Sequence, residues 1–77
     1  MKHATLKAET KAHDDLSIRE MEVFKLVTEG KTAQEIADQF NLSIHTVYTH
    51  RKNILKKLSC SSASELINYA YDKNIFR

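Results

Sequence analysis

The sequence predicts an all-α fold of four short helices, and three observations predict it. One glycine and no proline occur in 77 residues, and these are the residues that punctuate strands and hairpins. Apolar residues recur three and four positions apart instead of alternating. Three Ser/Thr-x-x-Glu capping boxes, at Ser17–Glu20, Thr32–Glu35 and Ser62–Glu65, mark places where helices begin. An apolar fraction of 42% beside 29% charged residues gives too much core for a disordered chain, and the length limits it to one small domain.

Residues 1–15 mix Lys, Thr, His, Asp and Ala without periodicity. They are expected to form a flexible arm or linker with a nascent helical turn near Leu6, and 16–77 to form the domain. The first helix is predicted at about 17–29: Ser17 caps it, Val23, Phe24, Leu26 and Val27 supply its apolar face, and Gly30 ends it by taking the left-handed conformation. The second, about 33–40, has Ala33, Ile36, Ala37 and Phe40 on one face and stops at Asn41, which tolerates that same conformation. The third, about 44–58, is capped by Ser43. On a wheel of roughly 100° per residue, Ile44, Val47, Ile54, Leu55 and Leu58 share one side. His45, Thr49, Lys52, Asn53 and Lys56 share the other, and Arg51 falls near the apolar edge. The fourth, about 62–73, carries Leu66, Ile67, Ala70 and Tyr71.

Composition removes several function classes. No apolar run approaches the roughly 18 residues a membrane helix needs, and Met1-Lys2-His3 leads into no apolar stretch of a secretory signal. A single cysteine, Cys60, forms no internal disulfide, and a reducing, cytoplasmic compartment is expected. His45 and His50 stand five apart, a poor spacing for one metal on a helix, and no carboxylate or cysteine completes a set. No glycine-rich phosphate loop or acid pair in a cleft suggests an enzyme, so no metal, no cofactor and no catalytic residue is expected.

The net charge of +2 is unevenly divided. Residues 44–58 carry Arg51, Lys52, Lys56 and Lys57 with no acid, while 16–43 carry five acids against three bases. A like-charge cluster repels itself, and its common compensation is a polyanion whose counterions are released on binding. The alternative is a solvated basic helix face. Because the charge falls opposite the apolar side, the short second helix, the corner Asn41-Leu42-Ser43 and the longer third helix read as a helix-turn-helix, whose second helix enters the DNA major groove.

Leu16-Ser17-Ile18-Arg19-Glu20-Met21-Glu22-Val23, Gly30, Glu35-Ile36-Ala37, Leu42-Ser43 and Thr46-Val47-Tyr48-Thr49-His50-Arg51-Lys52-Asn53-Ile54-Leu55-Lys56-Lys57-Leu58 resemble, in order and spacing, the LuxR/FixJ-type (NarL-like) helix-turn-helix domain of bacterial transcription regulators. The resemblance covers residues 16 to about 76. It implies a small four-helix bundle, the third helix as recognition helix, the fourth as a dimerisation surface, and service as the output domain of a response regulator in a two-component system, with RNA polymerase as a further partner. The family often has Pro where Ile18 stands and Gly where Asn41 and Ser59 stand; the 59–62 loop also lacks the basic residue common there.

The resemblance and the wheel together assign roles. Thr49 and Lys52, with Tyr48 and His45 beside them, are expected at base edges: a lysine donates to guanine O6 or N7, and a threonine methyl meets that of thymine. Lys31, Thr32, Thr46, His50, Asn53 and Lys56 are expected at phosphates, with Lys57 adding general electrostatics. Arg19 and Glu20 are expected to tie helices together. Leu66, Ile67, Tyr69 and Ala70 are expected to pair two copies, in solution or only on DNA, around inverted half-sites about one DNA turn apart. The competing reading is a helical protein-interaction module, which needs an exposed apolar stripe as its main surface.

Overall fold

A computed structural model describes the protein from Ala12 to Phe76, so the turn expected near Leu6 lies outside the described residues. A single 3-10 turn, Ala12–Asp15, precedes four helices: α1, Ile18–Thr28; α2, Ala33–Phe40; α3, Ile44–Lys57; and α4, Ala63–Asp72. No strand occurs among the described residues. The expected ranges hold to within a residue or so at each end, because the capping residues stand just outside the helices they start.

The helix beginnings follow the local code. The hydroxyls of Ser17 and Thr32 accept the amides of Glu20 and Glu35, and those glutamates accept the amides of Ser17 and Thr32 in return, at 2.8–3.1 Å. Ser43 accepts the amide of Thr46. The third predicted box closes on one side only. Ser62 accepts the amide of Glu65, but Glu65 Oε1 takes the amide of Ser61 at 2.7 Å rather than that of Ser62. Ser62 has φ −152°, against −71° to −79° at the other three caps, and this turns its own N–H away from the glutamate.

All four helices end in one way. The residue that stops each helix is left-handed: Gly30 (φ 85°), Asn41 (57°), Ser59 (57°) and Asn74 (53°). The next amide then bonds back five residues, Lys31 to Leu26, Leu42 to Ala37, Cys60 to Leu55 and Ile75 to Ala70, closing a Schellman motif. A chain with one glycine therefore makes this turn three times with Asn or Ser.

Phe24, Ile36, Ile54, Leu66, Val23 and Val47 are fully buried and form the centre of the core. α1 packs against both α3 and α4, and α2 packs against α3. Buried Ala33 and Ala37 keep the inner face of α2 small. After α4 the chain folds back, so that Phe76 meets Phe24 edge-on at 5.1 Å. Arg19 lies 4.3 Å over the Phe40 ring and pairs with Glu22, tying α1 to α2. The last four residues of the expected arm, Ala12–Asp15, rest against α3, with Leu16 buried behind them.

Candidate nucleic-acid interface

α3 has the two sides expected from its wheel. Val47 and Ile54 are buried, followed by Leu58 just past its end, while Ile44 and Leu55 are half-buried on the same side. His45, Thr46, Tyr48, Thr49, Lys52, Asn53 and Lys56 are exposed, and His50 and Arg51 are half-buried on the flanks. Tyr48 keeps 51% of its surface accessible. Among the described residues, Lys31, Arg51, Lys52 and Lys56 take part in no ion pair. The outward side of α3 is thus a ridge of cations and small polar groups with no carboxylate to neutralise it.

Hydrogen bonding narrows what each group can offer. Thr49 Oγ1 donates to the His45 carbonyl at 3.1 Å, so its hydroxyl proton is already used. What remains outward is an acceptor oxygen and the methyl group. Ser43 and Thr46 hydroxyls share one hydrogen bond of 3.0 Å, while Ser43 Oγ also accepts the Thr46 amide. The pair therefore keeps one O–H proton to donate, and Ser43 belongs to the site as much as Thr46 does.

The start of α2 is partly occupied. The Thr32 amide donates to Glu35 Oε1 at 2.8 Å and is spoken for, as the capping box requires. This hydrogen bond holds the Glu35 carboxyl below its ordinary range. The Thr32 hydroxyl accepts from Glu35 and keeps its own proton, and Lys31 is exposed beside it. Of the orphan amides at this helix start, those of Ala33 and Gln34 are left over.

Lys57 departs from its neighbours. Its ammonium lies 2.9 Å from Glu20 Oε1 and 3.4 Å from the Asp15 carbonyl, so it faces the domain rather than the outward ridge. The same Glu20 oxygen accepts the Ser17 amide. The Lys57 hydrogen bond first, then the Ser17 amide, hold the Glu20 carboxyl below its ordinary range, and these outweigh burial, which acts the other way. The spacing of Glu20 discloses its capping role; its second partner, 37 positions away, leaves no mark in the sequence.

On α4, Leu66 and Ala70 are buried in the chain's own core. Tyr69 is half-buried, with its ring near His13 and Phe24. Ile67 is 39% and Tyr71 83% exposed; they border a shallow groove between α1 and α4 that Lys25, Thr28 and Phe76 also line. Of the four residues expected to pair two copies, Ile67 is the one presented outward. Cys60 is half-buried, and burial, reinforced by the charge of Glu65, raises its thiol pKa, which suits an inert thiol. No group of three metal-ligating side chains occurs among the described residues, and none of their helices is long and apolar enough to cross a membrane.

A short helix, a three-residue corner and a second helix with an unneutralised basic ridge define a helix-turn-helix domain of the kind that meets nucleic acid. The chain belongs to the luxR family of bacterial regulatory proteins, which matches residues 14–70. It is 40% identical over 63 residues to the transcriptional regulatory protein LiaR of Bacillus subtilis, covering 82% of this chain and 30% of that protein. It is 49% identical over 57 residues to the uncharacterized response regulatory protein YgeK of Escherichia coli, covering 74% of this chain and 39% of that one. With the response regulator protein VraR of Staphylococcus aureus it shares 35% identity over 72 residues, 94% of this chain and 34% of the other. The chain spans about a third of the length of these relatives.

Proposed function

We propose that this domain binds double-stranded DNA in a sequence-specific manner, as the output domain of a transcription regulator of response-regulator type. The observation that carries the reading is the outward ridge of α3, where the cations stand unpaired and the apolar side of the helix is turned toward the core. With α3 in the major groove, His45, Tyr48, Thr49 and Lys52 face base edges. Lys31, Thr32, Thr46, His50, Asn53 and Lys56 stand where the flanking phosphates pass, joined by Ser43 through its shared hydroxyl proton. The protein-interaction reading is disfavoured because that ridge holds no Leu, Ile or Phe.

Two copies on one site would meet through the α1–α4 groove, with Ile67 and Tyr71 as its apolar contacts. Sedimentation equilibrium with and without duplex measures this. Contact with RNA polymerase belongs to the same proposal and is read by transcription in vitro from a template carrying the site.

Selection from a random duplex library yields the site, its symmetry and its spacing together. On the selected duplex, log affinity is expected to fall linearly with log salt. Lys56→Ala should weaken all sequences alike. Lys52→Ala should also relax preference at one base pair, by about 1–3 kcal/mol. A salt-independent affinity, or a pool that returns no preferred sequence, would overturn the reading.

A further inference from the structure

Lys57 carries one of the four formal charges of the basic segment, yet its surroundings are unlike those of the other three. Glu20 is buried, at 6% exposure, on the first turn of α1. One of its oxygens takes two donors, the Ser17 amide and the Lys57 ammonium, both at 2.9 Å. The same ammonium reaches the Asp15 carbonyl at 3.4 Å. One cation thus joins the last residue of α3, the first turn of α1 and the turn that leads into the domain. A carboxylate taken out of water and then deprived of its counter-charge is strongly unfavourable. Lys57 therefore cannot turn toward a phosphate without exposing that cost, whereas Lys52 and Lys56 leave no carboxylate behind. His50 lies seven residues before Lys57, two turns along the same flank. The buried carboxylate therefore steadies the flank of α3 that borders the proposed phosphate contacts.

We infer that Lys57 is a positioning residue for DNA recognition and not a phosphate ligand: gripped by Glu20 and the Asp15 carbonyl, it fixes the angle at which α3 is presented, and its charge takes no part in counterion release. This rests on the DNA-binding reading above. The consequence is that Lys57 parts from the two lysines expected to meet DNA. Lys52 selects, Lys56 attracts, and Lys57 aims.

The test compares Lys57→Met, Lys57→Arg, Glu20→Gln and Lys56→Ala in the full chain, on the selected duplex and on a random one, across a salt series. Circular dichroism confirms that each variant is folded under the assay conditions. Lys56→Ala should lower the slope of log affinity against log salt by about 0.9 on both duplexes. Lys57→Met should leave that slope unchanged while lowering affinity several-fold for the selected duplex only, and Lys57→Arg should restore most of the loss. Glu20→Gln keeps a side chain that can serve the capping box but frees the ammonium. It should reproduce the loss of selectivity and steepen the slope, and it serves as the deciding variant if Lys57→Met does not fold. A drop in slope for Lys57→Met equal to that of Lys56→Ala, undiminished selectivity in both Lys57→Met and Glu20→Gln, or an unchanged slope for Glu20→Gln would overturn the inference. Absence of any salt slope in the unmodified chain would instead strike the DNA-binding reading itself.

Discussion

The two ends of α3 are built on opposite plans. At its start, Ser43 and Thr46 share a hydroxyl proton at the surface, His45 is exposed beside them, and among the described residues no carboxylate lies within ion-pair distance of a cation on this ridge. At its finish, Lys57 is held by Glu20 and Asp15, Leu58 is buried, and Ser59 turns the chain sharply away. One end is left open and the other is gripped. A helix that must fit a groove benefits from that division, since its free half can project only as accurately as its fixed half is held. Apart from Ser43, which caps the helix, the exposed groups at the start are interchangeable without much consequence for folding, while those at the finish belong to the fold first.

The strongest test of that contrast is Ile54→Ala. Ile54 is fully buried on the inner side of α3, toward the gripped end. Removing its branched side chain is expected to cost about 2–5 kcal/mol, counting both the lost burial and the cavity left behind. Small domains have roughly 5–15 kcal/mol in hand, so this single change should bring the protein close to unfolding in urea. Thr49→Ala, on the exposed side, should shift the urea midpoint little. Equal effects from the two would mean that α3 is not anchored from within.

A second test uses acid. Glu20 has its carboxyl pKa lowered in the folded protein, so folding favours the ionised form. The stability it adds is complete above the carboxyl pKa of the unfolded chain, about 4.3, and is lost as pH falls through the lower value of the folded state. The urea midpoint of the unmodified chain should therefore decline on going from pH 6 to pH 3. In Glu20→Gln the decline should be shallower, with the two proteins converging at the acid end. Parallel curves would show that the gripped end contributes nothing through this carboxylate. Glu35 contributes a decline of the same sign in both proteins, its carboxyl being held down by the Thr32 amide.

What the sequence discloses and what it hides divide along similar lines. The four helices, their starting residues and the orientation of α3 follow from rules that act within four or five positions: caps, spacing of apolar residues, and the stop signals Gly30 and Asn41. The grip on Lys57 depends on two residues 37 positions apart that only the finished packing brings together. The turn Ala12–Asp15 has no periodicity of its own and takes shape against α3. Leu66 and Ala70 share a face with the helical spacing that marks burial, so the sequence does show an apolar side of α4; it does not show that the core uses both of them and leaves Ile67 and Tyr71 outside. The position of Ser59 was marked only by the glycine common there in similar domains, since serine itself gives no signal for a left-handed turn.

That residue supplies the mildest and most selective perturbation. Ser59 has φ 57°, a conformation that sets its Cβ against the neighbouring carbonyl at a cost of roughly 1–2 kcal/mol for an L-residue. Its side chain is exposed, so little contact is lost on its removal. Ser59→Gly relieves the steric cost but gives the unfolded chain more freedom, which takes back about 0.4–1 kcal/mol. A net gain of about 0.5–1 kcal/mol in urea unfolding is expected. Asn74→Gly, at φ 53°, should gain less, because asparagine already tolerates this conformation. Neither change touches the open end of α3, so affinity and its salt slope should stay as they are. A loss of stability in Ser59→Gly would show that serine makes a stabilising contact in the turn; a change in the salt slope would show that the loop after α3 reaches the DNA and that the gripped end is not confined to holding the fold.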